Sequence, residues 1–231
     1  MKKIAYIPII LMTVLAVSSC KIRFEKQGKK ITKEVKIKPF EQLYAGGGIS
    51  IEYTKGDHYS LTVEGNETEI KHLNVKQTGD KLYLTASDSE KNTIHIGCRS
   101  YFVLKLVAPS INSIQLEAGC SFQTESELRA DSMNIVTESG SLLNLYTLRC
   151  KKVQCETSSG SLANIMQLTA EDISIETSSG SSFTSTLSNC GHVKANASSG
   201  SSIELKGNAR SIEQDEDSGA SISIQNLKTN K

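Results

Sequence analysis

The chain has 231 residues, a formal net charge of +1 at pH 7, 38% hydrophobic residues and 5% aromatic residues, with no tryptophan. This length allows one large domain or two smaller ones. A charge near zero without a basic block gives no indication of nucleic-acid binding. The few aromatic side chains argue against a sugar-stacking cleft.

Residues 1–19 are predicted to be a lipoprotein signal peptide. Two lysines precede the apolar run Ile4–Val17, which is too short for a comfortable membrane span. The run ends in Val17-Ser18-Ser19-Cys20, which resembles a bacterial lipobox. By that resemblance Cys20 is lipidated, begins the mature chain and holds it at a membrane through the lipid.

The residue after the lipobox favours an outer-membrane lipoprotein. Lys21 stands where the inner-membrane retention signal known from some bacteria has an aspartate. We therefore predict the outer membrane of a bacterial cell envelope, with the leaflet left open. Residues 20–38 are interpreted as the lipid anchor and a polar tether.

Residues 39–108 are predicted to form a smaller β-rich N-terminal region. Alternating apolar residues predict strands at Ile49–Tyr53 and Ser60–Glu64. Asn66 is a candidate N-cap for one or two helical turns. The stretch Asn74–Thr85, with Thr78-Gly79-Asp80 at its centre, predicts a β-hairpin.

Residues 109–227 are predicted to form a repeat domain, followed by a frayed tail at 228–231. A Ser-Gly motif recurs at a spacing of about 20 residues, which indicates a solenoid whose repeats stack on one another. Each repeat contains apolar residues at odd distances from its glycine, the alternation of strands with one buried face. The predicted corner glycines are Gly119, Gly140, Gly160, Gly180, Gly200 and Gly219.

The fold class is therefore all-β, a parallel single-stranded β-helix (β-solenoid) with rungs of about 20 residues, preceded by the N-terminal region. Successive rungs lie roughly 4.8 Å apart, so equivalent side chains of stacked rungs form columns. We expect two inward-facing serine columns, one immediately before the glycines (Ser139 in the first repeat) and one immediately after them (Ser141). In the last rung, Gln214 and Glu216 occupy columns that are apolar or threonine in earlier rungs, which predicts a polar cap.

Of the six cysteines, Cys20 belongs to the lipobox, and the remaining five cannot all pair within the chain. Cys150 and Cys190 share a column but lie two rungs apart, beyond disulfide reach. With Cys155, they are interpreted as small core residues. Cys98 and Cys120 remain the one open candidate pair for a bridge.

A cation site has two weak candidates, Glu156 and Glu176, which would lie one above the other on the outer face. Adjacent carboxylates repel unless they share a cation, although a solvated acidic face is the simpler interpretation. None of the four histidines lies at a ligand spacing, and no catalytic constellation is present. We therefore predict a protein that is not an enzyme and needs no cofactor.

Several stretches resemble a known family, the putative autotransporter adhesin head domains called head GIN domain proteins, common as lipoproteins of Bacteroides-like bacteria. The resemblance rests on the lipobox, on Phe40–Ile51, on Leu73–Leu84, on Pro109–Ile114 and on the Ser-Gly-Ser repeats, and covers roughly residues 38–227. It implies a β-solenoid-like fold and an adhesin role, and it carries over no catalytic residue.

The first hypothesis is a lipid-anchored, non-catalytic cell-envelope solenoid that acts as a surface adhesion or binding module for a glycan or protein ligand. The second is a periplasm-facing structural or envelope-stress scaffold. The third, a carbohydrate-active β-helix enzyme, would need a catalytic cluster that the sequence does not contain.

Overall fold

The computed structural model describes residues 21–23, 28–86, 93–95 and 102–229. The signal peptide, Cys20 and Cys98 lie outside these ranges. The described strands are β1 Lys21–Arg23, β2 Lys30–Val35, β3 Gln42–Gly46, β4 Ser50–Lys55, β5 Ser60–Asn66, β6 Leu73–Thr78, β7 Lys81–Ala86, β8 Thr93–His95, β9 Val103–Ala108, β10 Ser113–Leu116, β11 Ser121–Thr137, β12 Leu142–Thr157, β13 Leu162–Thr169, β14 Asp172–Thr177, β15 Ser182–Ala197, β16 Ser202–Glu216 and β17 Ser221–Thr229.

The described helix, α1 at Glu67–Ile70, begins where the sequence predicts it. The side chain of Asn66 caps it by accepting a hydrogen bond from the Thr68 backbone N–H at 3.0 Å. No helix among the described residues is long and apolar enough to cross a membrane. The predicted hairpin is also confirmed, since β6 and β7 pair antiparallel from Leu73 to Ala86.

The C-terminal part is a β-solenoid of about six turns with parallel, in-register rungs, as predicted. Val153 pairs with Met133 on one side and with Ile173 on the other, and Ile173 pairs with Val193. Each step is 20 residues. At the C-terminal end of this column, Val193 of β15 pairs with Ile212 of β16. Among the described residues, β17 pairs only with the part of β16 up to Ala209, so the rest of β16 has no strand on its outer side. The polar side chains from Glu213 to Asp217 are exposed at that open end, as the cap predicts.

Each rung bends twice and so has three sides. In β12, Leu143 and Leu145 are buried, Thr147 and Leu148 are buried consecutively, and burial resumes at Val153. Because side chains of a straight strand alternate between faces, each change of parity marks a bend. The solenoid therefore has three outer faces around one apolar interior.

The N-terminal strands extend the same stack. β3 pairs in parallel with β10, and β4 pairs in parallel with β11. One cluster of buried side chains runs from Phe40 to Ala209. The strands on both sides of residue 108 thus share a continuous core.

The Ser-Gly motif forms the tight corner that begins each turn of the solenoid. In one corner, Ser139 (φ 54°) and Gly140 (φ 74°) both have positive φ, and the Ser141 N–H donates to the Glu138 carbonyl at 3.3 Å. Two central residues with positive φ characterise a type I′ turn. All six repeat glycines have φ between 70° and 75°, and a Cβ on any of them would meet no atom within 4 Å.

The prediction of two inward serine columns is half wrong. The serines before the glycine, Ser139, Ser159, Ser179, Ser199 and Ser218, are exposed. They occupy the first of the two central positions of the turn, which projects from the corner. The serines after the glycine are buried, and the Ser141 hydroxyl donates to the Glu138 carbonyl at 2.7 Å.

The corner geometry predicts a graded effect of adding a methyl group to glycines. Gly160→Ala should lower the free energy of unfolding by about 1 kcal/mol, because alanine is strained at positive φ but finds open space. Gly191→Ala should cost several-fold more, because its Cβ would clash with the Glu171 carbonyl. Urea unfolding of both variants measures the difference. Equal losses would contradict the proposed corner.

Candidate functional site

The first outer face is formed by the outward side chains of β3, β7 and β10 and of residues 132–136, 152–156, 172–176, 192–196 and 211–215. Glu156 pairs in register with Glu176, which is followed by Asn196 and Asp215. Both glutamates are exposed. Within the described residues, no group of three or more His, Cys, Asp or Glu side chains is placed to hold a metal ion.

This column continues towards the N-terminus in a way that the sequence did not reveal. Val136 pairs with Gln115, Gln115 with Tyr44, and Tyr44 with Tyr83. The alternation around Tyr44 and Tyr83 could have shown that both point outward. Nothing in the spacing, however, showed that β3 and β7 stack on the first repeat.

A preorganised polar cluster lies at this end of the first outer face. The Tyr44 hydroxyl donates to Glu117 at 2.8 Å, and the Gln115 amide donates to the same carboxylate at 2.8 Å. The Lys81 ammonium lies 5.6 Å and 5.3 Å from the ring centroids of Tyr44 and Tyr83, a cation–π arrangement. Burial, together with the Glu117 carboxylate, raises the pKa of Tyr44 to about 12.

The other end of this face contains an open depression of about 260 Å³, lined by polar residues that include Lys152, Asp172, His192, Lys194 and Ser211. Asp172, His192 and Ser211 lie on successive rungs in one column, and His192 Nδ1 is 2.7 Å from the Ser211 hydroxyl.

The Asp172–His192–Ser211 column has the residue types of a hydrolase but not the arrangement. Within the described residues, the His192 ring bonds to Ser211 through Nδ1 and makes no hydrogen bond to Asp172, so no carboxylate orients it as a triad requires. The His192 backbone N–H already donates to Glu171 on the preceding rung. Because the parallel ladder uses this backbone donor, the His192 N–H is not available to stabilise an oxyanion.

The second outer face is formed by the outward side chains of β4 and β9 and of residues 121–125, 142–146, 162–166, 182–186 and 202–206. In its middle lie the most exposed large apolar side chains of the solenoid, with Tyr146 49%, Leu162 51% and Met166 51% exposed. Serine hydroxyls bond across rungs on either side of them, as between Ser121 and Ser50 at 3.0 Å and between Ser202 and Ser182 at 3.0 Å.

The third, short side carries the two arginines that share a column, Arg129 and Arg149. Both contact Glu127, at 2.8 Å and 2.5 Å respectively. The arginines are exposed and Glu127 is partly buried, and the two arginines hold the pKa of Glu127 below its usual range. The side therefore offers paired charges rather than a free basic patch.

The cysteines of the repeats lie in the apolar columns. Cys155 and Cys190 are buried and Cys150 is partly buried. Burial raises the pKa of Cys155 and of Cys150 to about 12, so neither thiol is an activated nucleophile. Cys120 is buried, and its Sγ accepts a hydrogen bond from the Ile49 N–H at 3.4 Å. A bridge between Cys98 and Cys120 stays a prediction, because Cys98 is outside the described residues.

Comparison with known proteins points to one family. The family model described as "Putative auto-transporter adhesin, head GIN domain" matches residues 39–166, more than half of the chain. No curated protein matches the chain.

Several solved structures share the fold at low sequence identity. A putative adhesin from Bacteroides fragilis is 18% identical with a TM-score of 0.66, over 85% of this chain and 96% of that chain. A putative adhesin from Parabacteroides merdae is 15% identical with a TM-score of 0.57, over 88% and 99%. A structure described as a putative lipid binding protein from Parabacteroides distasonis is 14% identical with a TM-score of 0.56, over 88% and 99%.

The buried thiol of Cys155 predicts a loss of stability at alkaline pH. Burial raises its pKa on folding from 9.0 to about 12. The protonated thiol therefore contributes fully to the free energy of unfolding below pH 9, and this contribution is lost as the pH rises towards 12. Between these limits wild type should lose up to about 1.4 kcal/mol per pH unit more than Cys155→Ala. Ala195 in the same column shows that alanine fits there. Urea unfolding at pH 8, 10 and 11 measures this, and parallel curves would contradict it.

Proposed function

The chain belongs to the putative auto-transporter adhesin family with a head GIN domain, and on that basis we propose that it is a lipid-anchored, non-catalytic adhesion module of the bacterial cell envelope. In this proposal Cys20 carries the lipid, residues 20–38 form the tether, and the solenoid presents its outer faces to a surface ligand. The outer membrane is the proposed location.

The observation that carries this proposal is the continuous parallel stack from β7 and β3 to β16. Such a stack holds outward side chains at a fixed spacing on long, flat faces. A rigid surface loses little conformational entropy on binding, so many weak contacts can add up to useful affinity.

The non-catalytic part of the proposal is supported by how the polar groups are used. The Asp172–His192–Ser211 column has no oriented triad, and the cysteine thiols of the repeats are buried in apolar columns. Arg129 and Arg149 are paired with Glu127. The thiols are thus buried and the arginines paired, and the histidine lacks a carboxylate partner, which suits a structural role for these groups.

The anchoring and the orientation can be tested in cells that lack the chromosomal copy and express wild type, Cys20→Ser or Cys150→Ala. Wild type should incorporate labelled palmitate, and Cys20→Ser should not. Cys150→Ala is the matched control, because Ala130 and Ala170 occupy the same column. Protease treatment of intact cells should remove wild-type protein while a periplasmic marker survives, and only lipidated variants should support adhesion to glycan- or matrix-coated surfaces.

Two results would overturn this function. Wild type without palmitate would contradict lipid anchoring. Adhesion would be contradicted by two observations together. The labelled protein would resist the protease until the outer membrane is broken, and the cells would adhere no better than cells without the protein. That second result would favour the periplasm-facing scaffold.

A further inference from the structure

The middle of the second outer face carries an uncharged group of six side chains on two adjacent rungs, which we call the two-rung patch: Leu142, Asn144, Tyr146, Leu162, Asn164 and Met166. Leu142 pairs with Leu162, and Asn144 pairs with Asn164. Tyr146 and Met166 also occupy equivalent positions, because the residues before and after them are paired in register. The patch therefore has two apolar edges with a row of amides between them.

The amides of the patch have most of their hydrogen-bonding capacity available. Asn164 Nδ2 is 3.5 Å from Asn144 Oδ1, at the limit of a hydrogen bond, and the described residues give neither side chain another partner. Each amide has two donors and one carbonyl acceptor. A ligand covering them must bring both donors and acceptors, or it would bury unsatisfied polar groups.

The patch on its own is too small for a stable interface with a second copy of the chain. Residues 142–146 extend over about 13 Å, and two rungs occupy roughly 10 Å, so the patch covers on the order of 130 Å². A stable protein–protein interface buries about 800 Å² on each partner. Beyond the patch the face changes to hydroxyl and charged side chains, such as Ser182, Thr184 and Glu204.

The charges around the patch select against an acidic ligand. Gln123 and Thr184 continue the amide row on the neighbouring rungs without charge. On the rung before Tyr146, Glu125 is exposed at the bulge between Thr124 and Glu127 and would repel an acidic ligand. Two rungs beyond the patch on the C-terminal side, Lys206 and Glu204 pair with each other at 2.7 Å.

We propose that the two-rung patch is a binding site for a short segment of a neutral polysaccharide, an inference that rests on the proposed adhesion function. Tyr146 supplies an exposed aromatic surface for the apolar C–H face of a sugar ring, and its hydroxyl stays in water. Leu162 and Met166 cover further C–H groups, while Asn144 and Asn164 bond to sugar hydroxyls. The site is a flat surface with one aromatic platform, so it differs from the sugar-stacking cleft that the composition argues against.

The test uses the full chain, purified as the producing cell processes it, and four hexasaccharide probes. Cellohexaose, mannohexaose and chitohexaose are neutral, and hexagalacturonate is the acidic control. Binding is measured by isothermal titration calorimetry for wild type, Tyr146→Phe, Tyr146→Ala and Tyr83→Ala. The last variant removes a tyrosine from the first outer face and is the matched control.

We expect at least one neutral hexamer to bind, with hexagalacturonate weaker. Tyr146→Ala should weaken binding about tenfold or more, equivalent to about 1.4 kcal/mol, whereas Tyr146→Phe and Tyr83→Ala should stay close to wild type. Since Tyr146 is half exposed, its replacement should leave the melting temperature unchanged, and this is checked for each variant.

Several outcomes would overturn the site. Equal binding by wild type and Tyr146→Ala would place the sugar elsewhere, and preference for hexagalacturonate would contradict the charge argument. If Tyr146→Ala had a lower molecular mass in solution than wild type, the patch would be an interface between copies of the chain. If no neutral hexamer binds while cells adhere through the protein, the site is wrong and the proposed function stands. If the cells also fail to adhere, the function itself fails.

Discussion

The structure depends on backbone hydrogen bonds that join each rung to the next and continue through the corners. The Gly140 N–H donates to the Ser159 carbonyl at 3.1 Å, and Gly160 and Gly180 repeat the bond to the rungs that follow. Parallel strands alone would leave each corner as a loop with unpaired donors. Here the type I′ turn aligns those donors with the next corner, so the ladder is not interrupted where the chain turns from one side of the rung to the next. The requirement for positive φ at two successive positions explains why Ser-Gly recurs with the period of the fold.

The same constraint shapes what the protein can do. A ladder that occupies the backbone donors leaves recognition to the outward side chains, which stand at fixed distances on three faces. The first face combines carboxylates with the Tyr44–Glu117 cluster, the second places Tyr146 and two amides on an uncharged surface, and the third pairs its arginines with Glu127. Such faces suit binding of an extended ligand better than covalent chemistry, in agreement with the family to which the chain belongs.

Much of this architecture could be predicted because the repeat carries its own register. Val153, Ile173 and Val193 lie at the same distance from their glycines, and they pair as that distance requires. The serines before the glycine were misassigned because alternation was extended into the turn, where two residues of positive φ break the parity. The stacking of β3 and β7 on the first repeat was not predictable, since those strands are not part of the 20-residue Ser-Gly repeat that sets the register of the solenoid. The two-rung patch was likewise hidden, because Leu142 and Leu162 occupy a column that is serine in neighbouring rungs.

Amide hydrogen exchange of the corner glycines tests most directly whether the ladder runs through the corners. The exposed corners at Gly140, Gly160 and Gly180 should exchange as slowly as the adjoining strands, because each amide donates to the next rung. Gly219 has the same turn, but within the described residues its amide makes no such bond, and it should exchange much faster. Fast exchange at all four glycines would contradict a ladder that continues through the corners, because the corners would then be ordinary loops and the rungs would be joined only along their strands.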